Sequence, residues 1–369
     1  MVSSTDVFVI GGGPAGLAMA IAARQRGLRV AVADGMQPPI DKACGEGLMP
    51  EGLAALERLG LQVPLEQAYP FRGIRFLTQK LAADALFPAE GHGLAARRTV
   101  LHRVMMERAA QVGADLFWRT TVTGIAADGV HLGKNFVRAR WIVGADGANS
   151  RVRRWARLEA SSQPQLRYAF RRHYRVAPWT DHMEVHWGER CQGYATAIST
   201  EQVCVIIAAH DPKLRLEDGL KDLPRLRERL RKAESASSER GAITGNLRLK
   251  RVWRGNIALI GDAAGTVDAI TGEGLRLAFN QAVVLAECFE TGDLSRYQKV
   301  HDRLTLRPRV MARLMLTLDG RPWLQNRALQ VFQQHPEVFR RLLAVHVGAL
   351  PPQQFVRDGL TLGWGLITA

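Results

Sequence analysis

The stretch "VFVIGGGPAGLAMAIAARQRGLRVAVAD", residues 7–34, decides the fold of this chain. The β-branched run at 6–10 predicts a buried parallel strand, because it is too short for a helix. The alanine-rich run at 14–27 predicts the helix that follows, with a proline in its first turn and a glycine at its C-terminal end. Residues 28–34 predict a second strand. Strand, glycine-rich turn, helix and strand in this order indicate a nucleotide-binding βαβ unit.

The glycines between strand and helix indicate what binds there. Gly11, Gly13 and Gly16 form a GxGxxG pattern. In this pattern the first glycine permits a tight turn, the second lets the backbone approach a pyrophosphate, and the third lets the helix pack closely on the strand. Asp34 stands 18 residues after Gly16, where an acid can bind a ribose hydroxyl. The pattern predicts a dinucleotide and leaves NAD and FAD both open.

A second segment of this kind is "VRARWIVGADGANSRVRR", residues 137–154. Its apolar run predicts a strand that leads into Asp146 and Gly147, and Ser150 can cap the helix that follows. Ligands of open α/β sheets bind at the ends of the strands, so this acid is a candidate binding residue.

A third segment, "RGNIALIGDAAGTVDAITGEGLRLAFNQAVVLAE", covers residues 254–287. Its first run predicts a strand that ends at Gly261 and Asp262. The TGEG that follows predicts the start of a long helix, whose first turn offers free backbone amides and the positive end of the helix dipole. An electron-rich group of a ligand is therefore expected at that helix N-terminus.

Together the three segments resemble the flavin motifs of one enzyme superfamily, the FAD-dependent oxidoreductases with the para-hydroxybenzoate hydroxylase fold. The motifs are GGGPAG, GADGANSRVR and IGDAAG with TGEGL, and the resemblance spans most of residues 5–290. The run DKACGEGLMPEGLAALERLG, residues 41–60, and the TGEGL form look closest to the geranylgeranyl reductase-like branch. The resemblance implies an α/β fold with a Rossmann-like FAD-binding domain, an antiparallel β-sheet substrate domain and a helical C-terminal region.

The resemblance also implies where FAD is held. The glycine-rich turn and Asp34 are expected to bind the ADP half, and Arg98 to contact FAD from the start of its helix. Asp146 is expected near the pyrophosphate and ribityl chain, Asp262 at the ribityl hydroxyls, and the amides of 272–274 at the flavin pyrimidine edge. The implied cofactor-binding residues are Gly11, Gly13, Pro14, Ala15, Gly16, Asp34, Arg98, Asp146, Gly147, Gly261, Asp262, Gly272, Glu273 and Gly274.

The loop CGEG contains two candidate catalytic residues, Cys44 and Glu46. The resemblance places this loop beside the substrate side of the flavin, where Glu46 can serve as a proton donor. The competing interpretation is that the two glycines only shape a turn and that Glu46 is solvated.

The last motif departs from both branches of the superfamily. Hydroxylases usually have histidine and proline after GDAA, whereas this chain has Gly265, Thr266 and Val267. The reductases usually have Asn-Pro where this chain has Asp268 and Ala269. The reaction is therefore left open. The WxWxIP motif of the flavin halogenases is absent, which disfavours halogenation.

Two reactions are compatible with these motifs. We favour a single-component flavin monooxygenase that hydroxylates an aromatic or polyketide-like small molecule with NAD(P)H and oxygen, because that activity is widespread in the fold. The alternative is a geranylgeranyl reductase-like enzyme that reduces C=C bonds of an apolar or prenyl substrate. A non-catalytic FAD-binding protein is the alternative from another class. Only one dinucleotide fingerprint is present, so the electron donor, NAD(P)H or a reduced carrier, stays open.

The chain is expected to cross between domains several times. The FAD-binding domain is predicted from residues 1–70, 92–160 and 245–290, the substrate-binding sheet from 71–91 and 161–244, and the C-terminal helical region from 291–369. Strand-like runs about ten residues apart predict that the second sheet is antiparallel. The resemblance implies that this sheet roofs the substrate pocket over the flavin.

His182, Glu184 and His186 alternate along one predicted strand, which projects all three on one face of the sheet. A solvated face is the interpretation we favour over a catalytic role. A metal would want a further ligand and supporting hydrogen bonds, so no metal is predicted.

Charge and composition limit which binding partners and which cellular locations are expected. The excess of 15 basic residues is spread along the chain, which predicts an electropositive cleft for an anionic cofactor rather than nucleic-acid binding. No window approaches the ~18 uninterrupted apolar residues of a transmembrane helix. Four scattered cysteines without a CxxC pair indicate neither zinc nor disulfides, and a cytoplasmic protein is expected. The apolar tail at 355–369 leaves peripheral membrane contact as an alternative.

Overall fold

The computed structural model describes residues 2–158, 166–351 and 353. The strands are β1 (Ser4–Ile10), β2 (Val30–Ala33), β3 (Gly47–Leu48), β4 (Ala68–Phe71), β5 (Gly73–Leu77), β6 (Ala82–Leu86), β7 (Gly93–Ala96), β8 (Asp115–Phe117), β9 (Gly124–Ala126), β10 (Gly129–Leu132), β11 (Asn135–Gly144), β12 (Leu166–Arg175), β13 (His182–Trp187), β14 (Cys191–Ser199), β15 (Gln202–Ala209), β16 (Glu234–Ser235), β17 (Arg240–Gly245), β18 (Trp253–Arg254) and β19 (Ile257–Leu259). The α-helices are α1 (Pro14–Arg24), α2 (Pro50–Glu57), α3 (Arg98–Gln111), α4 (Arg151–Trp155), α5 (Leu216–Lys221), α6 (Pro224–Leu230), α7 (Gly274–Thr291), α8 (Leu294–Leu318), α9 (Pro322–Gln334) and α10 (Pro336–His346).

The first sheet is built around β1, the predicted first strand. Its order is β18-β19-β11-β1-β2-β8, with parallel pairing from β19 to β8. Strands β9 and β10 extend it as an antiparallel hairpin on β11. The carboxyl ends of β1, β2, β11 and β19 meet at one edge, so the three glycine-containing segments come together there. The predicted Rossmann-like unit is confirmed.

Helix α1 is buried between this sheet and α7 because its small residues let both approach closely. Leu17, Met19 and Ile21 are fully buried in the resulting core, and each such side chain stabilises the fold by roughly 1.5–3 kcal/mol. The hydroxyl of Tyr297 in α8 donates to the carbonyl of Leu259 at 2.6 Å, which ties the C-terminal helices to the end of β19.

The second sheet has the order β16-β12-β15-β14-β13-β5-β6, with β17 also paired to β12. Most of its pairs are antiparallel as predicted, but β5 and β13 run parallel. These two strands lie far apart in the chain, so no hairpin sets their relative direction. A small sheet, β3-β7-β4, contacts β14 of the second sheet and helix α2, and the CGEG loop runs directly into β3.

The outer face of the second sheet corrects one prediction. His182, Glu184 and His186 do share a face, but they are 7%, 3% and 4% exposed, so the expected solvated face is wrong. Glu184 accepts hydrogen bonds from the indole of Trp179 and from His186, at 3.0 and 2.9 Å. Helices α5 and α6 cover this face, with Leu223 just before α6 and Leu226 within it lying directly over Gly193, the cross-strand partner of His186.

The C-terminal helices pack on the inner face of the second sheet. Phe332 of α9 stacks on Phe339 of α10 with ring centroids 4.6 Å apart, and Phe76 of β5 contacts Phe339 at 5.4 Å. The helical C-terminal region is therefore confirmed over α8 to α10, whereas the apolar tail at 355–369 lies outside the described residues.

Candidate active site

One cavity of about 1390 Å³ joins the carboxyl edge of the first sheet to the inner face of the second. This volume exceeds the ~300–1,000 Å³ of a typical small-ligand pocket, so a dinucleotide and a second ligand fit side by side. The predicted cofactor residues in its wall are Gly11, Gly13, Pro14, Ala15, Asp34, Arg98, Asp146, Gly147, Gly261, Asp262, Gly272 and Gly274. Gly16 and Glu273 lie behind this wall.

Each glycine of the first turn is required for a different geometric reason. Gly11 has a φ of +110°, and a Cβ there would collide with the carbonyl of Ala145. A Cβ on Gly16 would collide with the carbonyl of Gly11. A Cβ on Gly13 would meet nothing within 4 Å, and no side chain of the described residues caps α1, which starts there. Open space beside free amides fits a phosphate of FAD.

The carboxylate of Asp34 is oriented by backbone amides of Gly12 and Met36, which donate to its two oxygens at 2.7 Å each. Both oxygens keep acceptor capacity for a ribose hydroxyl. The sequence prediction missed Gly12, whose carbonyl accepts from His102 Nε2 at 2.9 Å and whose missing Cβ leaves room for the ring of Trp118. Burial lowers the pKa of His102, so a neutral imidazole holds this turn in place.

Asp146 borders the cavity and caps α4. It accepts from the hydroxyl of Ser150 at 2.5 Å and from the amides of Arg151 and Val152 at 2.7 and 3.2 Å. Ser150 Oγ accepts in turn from the amide of Arg153 at 2.9 Å, which confirms Ser150 as the N-cap. The expected approach of Asp146 to the pyrophosphate and ribityl chain stays a prediction.

Asp262 follows β19 and forms an ion pair with Lys42, with Nζ and Oδ2 3.0 Å apart. Lys42 also lines the cavity and was missed from the sequence. Its ammonium adds positive charge where the cofactor's phosphates and ribityl chain are expected. Neighbouring Gly261 has a φ of +58°, and its amide donates to the side chain of Gln281 at 2.7 Å.

Helix α7 starts beside the cavity at a glycine-rich turn. Gly272 has a φ of +66°, and a Cβ on Gly274 would meet nothing within 4 Å, so a flat ring can approach this backbone. Within the described part of the chain no side chain caps α7, which leaves its first amides free. Glu273 is buried behind the turn, paired with Arg276 and 3.8 Å from His346. The turn therefore presents its backbone amides to the cavity, and not the carboxylate of Glu273.

Asp268, where the last motif departs from the reductases, forms a buried ion pair with Arg167 of β12 at 2.9 Å. Asp268 also accepts from the amide of Ile270 at 3.0 Å. The pair ties the second sheet to the last flavin segment. Arg167 was not predicted, because an arginine in a strand pattern gives no sign of being buried.

The CGEG loop lies in the cavity wall. Cys44 is half-buried, whereas the side chain of Glu46 is only 1% exposed, so the interpretation of a solvated Glu46 is wrong. Glu46 has a φ of +61°, and its Oε1 accepts from the amide of Arg98 at 3.0 Å. Among the described residues Arg98 Nε is buried without a partner. An orphaned donor beside the cavity fits the expected contact with FAD.

Glu46 has two further neighbours that the sequence prediction missed. Its Oε2 lies 2.7 Å from Nε2 of His173, and its Oε1 lies 3.7 Å from the guanidinium of Arg171. Both residues belong to β12. A signal was present, because arginine and histidine at alternate positions of a predicted strand share one face.

The part of the cavity away from these polar groups is apolar. Phe76 stacks on Trp187 with ring centroids 4.7 Å apart, and both belong to the wall. Aliphatic side chains from β13 and α8 continue this lining, namely Met183, Val185, Met311, Leu314, Met315 and Leu318. The arrangement can therefore hold a flat cofactor at one end and a hydrocarbon-rich ligand at the other.

A family model described as an FAD binding domain matches residues 4–291, which is most of the chain. The chain belongs to this FAD-binding family. The match covers both large sheets and α7. FAD is therefore the cofactor, and the protein is an FAD-dependent oxidoreductase of the para-hydroxybenzoate hydroxylase-like superfamily, as predicted. The individual FAD contacts named above stay predictions.

Named relatives of this FAD-binding chain are reductases. It is 29% identical over 326 residues to the menaquinone reductase of Mycolicibacterium smegmatis. This match covers 80% of this chain and 79% of that protein. It is 30% identical over 182 residues to the digeranylgeranylglycerophospholipid reductase of Methanosarcina mazei, 43% of this chain and 42% of that protein. Among solved structures, a flavoprotein/dehydrogenase from Cytophaga hutchinsonii superposes with a TM-score of 0.80 at 18% identity, over 94% of this chain and 93% of that one. That last likeness concerns the fold.

Proposed function

We propose that this FAD-dependent oxidoreductase reduces a carbon–carbon double bond in the prenyl chain of a lipid. The observation that carries the proposal is the apolar part of the cavity, which continues from the glycine-rich turn of α7 to the rings of Phe76 and Trp187. Burial of a prenyl chain in this part of the cavity is favourable by roughly 25 cal/mol for each Å² of apolar surface removed from water. The aliphatic side chains of this lining offer a polar aromatic substrate no hydrogen-bond partners.

The relatives support the same substrate class. One is named for menaquinone, a lipid quinone, and another for a digeranylgeranyl phospholipid. We therefore place a lipid quinone first among the prenyl lipids to be tested. Hydroxylation, the reaction that the sequence favoured, stays a prediction and becomes an outcome of the same experiment.

Reduction adds a hydride and a proton across the double bond. Reduced FAD, when bound, supplies the hydride. Glu46 lies in the cavity wall beside Cys44 and is the proposed proton donor. NAD(P)H or a reduced carrier is the expected source of the electrons.

Peripheral contact with an anionic membrane would deliver such a substrate. Leu306 and Val310 of α8 are 64% and 44% exposed, and Arg313 is exposed on the same helix face. Leu314 lines the cavity in the next turn, and Trp323 at the start of α9 is 60% exposed. Apolar side chains with tryptophan and arginine suit the interface of anionic lipids. In the described part of the chain, no helix could cross a bilayer.

The test uses purified protein loaded with FAD, reduced anaerobically with dithionite and mixed with menaquinone in detergent. After air has reoxidised the head group of the extracted quinone, mass spectrometry is expected to show the gain of two hydrogen atoms in the prenyl chain. A gain of one oxygen atom after mixing in air would support hydroxylation instead. Unchanged prenyl lipids under both conditions would contradict the proposal and leave FAD binding without this catalysis.

A further inference from the structure

A buried histidine connects the surface of the second sheet to the cavity wall. Nδ1 of His173 lies 2.8 Å from the hydroxyl of Ser237, and its Nε2 lies 2.7 Å from Oε2 of Glu46. His173 is only 1% exposed. Both ring nitrogens are therefore engaged, one by a hydroxyl and one by a carboxylate, with no room for water around the ring.

The two ends of this chain of contacts lie in different surroundings. Ser237 is half-buried in the loop between β16 and β17, at the outside of the molecule. Glu46 and Cys44 lie in the cavity wall, and the amide of Glu46 donates to Cys44 Sγ at 3.4 Å. A continuous line of exchangeable protons thus runs from the surface, through β12, to the candidate proton donor.

We propose that Ser237, His173 and Glu46 transfer protons from the surface to the cavity. The proposal rests on the proposed reductase function, since each double bond reduced consumes one proton at the cavity. A lipid chain that fills the apolar cavity excludes water, so Glu46 must regain its proton by another route. A neutral imidazole accepts a proton at one nitrogen and releases one from the other, and a hydroxyl does the same at its oxygen. His173 is a proton-transfer residue that acts through Glu46.

The groups around His173 keep it suited to this role. The guanidinium of Arg171 contacts the ring at 2.9 Å and lies 3.7 Å from Glu46. Asp41 pairs with Arg171 at 2.6 Å and with Arg240 at 3.4 Å. Once Glu46 has given up its proton, the two carboxylates and the two guanidinium groups balance, and the cluster is uncharged while His173 is neutral. Arg171 contacts both ring nitrogens, at 2.9 and 3.1 Å, and the carboxylates of Glu46 and Asp41 offset its positive charge when the ring takes up a proton.

A metal site is the competing interpretation of the same residues. The donor atoms of Glu46, His173 and Cys204 lie within 4.8 Å of one another. Burial raises the pKa of the Cys204 thiol, which keeps it protonated and a poor ligand. Arg171 also places a fixed cation against two of the three donors, which repels a divalent ion. The groups around Glu46 and His173 therefore favour proton transfer over metal binding.

The decisive experiment compares the FAD-loaded wild type with Ser237→Ala, His173→Gln and the control Ser238→Ala, whose serine is the exposed neighbour of Ser237. Imidazole ¹⁵N–¹H NMR, with the His173 signal assigned by its loss in His173→Gln, measures exchange of the ring proton with water in the oxidised protein. Exchange is expected to slow in Ser237→Ala and to stay unchanged in Ser238→Ala. Unchanged exchange in Ser237→Ala would overturn the proton path.

Turnover supplies the second measurement. His173→Gln is expected to lower kcat for the prenyl substrate about 10²-fold with KM unchanged, to alter the pH profile, and to recover activity when imidazole is added. Wild-type kcat and pH profile in this variant would overturn the proposal. So would stoichiometric zinc in the purified protein that is lost in His173→Gln. The NMR measurement needs no substrate, so altered exchange without any prenyl reduction would reject the proposed function and leave the proton path standing.

Discussion

Arg167 and Asp268 form an ion pair across the interior of the molecule, with side-chain atoms 2.9 Å apart and each residue 1% exposed. One belongs to the second sheet and the other to the turn that precedes α7. Asp319, after α8, lies 3.6 Å from the same guanidinium. This arrangement fixes the roof of the cavity to the segment expected to face the flavin.

Replacing Asp268 by Ala is expected to lower the free energy of unfolding by about 3 kcal/mol, because it leaves Arg167 as a buried cation with only the longer contact to Asp319. Urea unfolding checks the value. The matched control is Glu234→Ala, which removes the exposed partner of Arg175 and should change stability little. Equal effects of the two substitutions would contradict the role given to the buried pair.

Gly13→Ala is expected to abolish tight FAD binding while leaving the apoprotein as stable as the wild type. The added methyl meets no protein atom, and it occupies the space where a phosphate is expected. Gly16→Ala is the contrasting variant, since its methyl collides with the carbonyl of Gly11 and should destabilise the fold itself. Fluorescence titration with FAD and thermal unfolding separate the two cases. Full FAD affinity in Gly13→Ala would place the phosphate elsewhere.

Asp262→Ala is expected to weaken FAD binding about 10–100-fold, the loss of a hydrogen bond to a charged group of ~1.5–3 kcal/mol. It also frees Lys42, its partner at 3.0 Å. The flavin-to-protein ratio after gel filtration provides the readout. A variant that still elutes with one FAD per chain would remove this aspartate from the binding residues.

Glu46→Gln keeps the shape of the side chain but cannot cycle a proton. We expect kcat for the prenyl substrate to fall about 10²–10⁴-fold, the usual contribution of a general acid, with FAD still bound. Glu228→Gln, at an exposed helix position, is the control. Unaltered turnover in Glu46→Gln would exclude this residue as the donor.

Acid is expected to destabilise the protein through a buried histidine in α8. Burial lowers the pKa of His301 from 6.5 to about 4. Below pH 6.5 the unfolded chain binds a proton at this position while the folded chain does not, so stability falls as the pH drops, by about 3 kcal/mol at pH 4. Above pH 6.5 the loss disappears.

His301→Gln tests this assignment by removing the titrating group. Its urea unfolding free energy should depend less on pH between 6.5 and 4 than that of the wild type, whatever its stability at neutral pH. Burial lowers the pKa of His102 and His346 as well, so part of the acid sensitivity should remain. Parallel pH curves for variant and wild type would contradict the prediction.

The sequence predicts those parts of the fold that local rules determine. The turn at Gly11 and Gly16, the N-cap at Ser150 and the strands of both sheets follow from glycine geometry, capping and periodicity. The contact between Glu46 and His173 does not follow, because 127 positions separate them and only the folded sheet joins them. The burial of Glu184 could not be predicted for the same reason, since it depends on where the covering helices lie.

The order of strands in the first sheet has a consequence for biogenesis. Its central strand β1 pairs with β11, which pairs with β19, while the strands β12 to β17 of the other sheet are synthesised in between. The first sheet cannot be completed until β19 has emerged from the ribosome, and the glycine-rich turn of α7 follows later still. We therefore expect FAD capture to wait for the synthesis of α7 and to depend on slow, long-range pairing. Dividing the gene within the second sheet should yield fragments that do not mature alone.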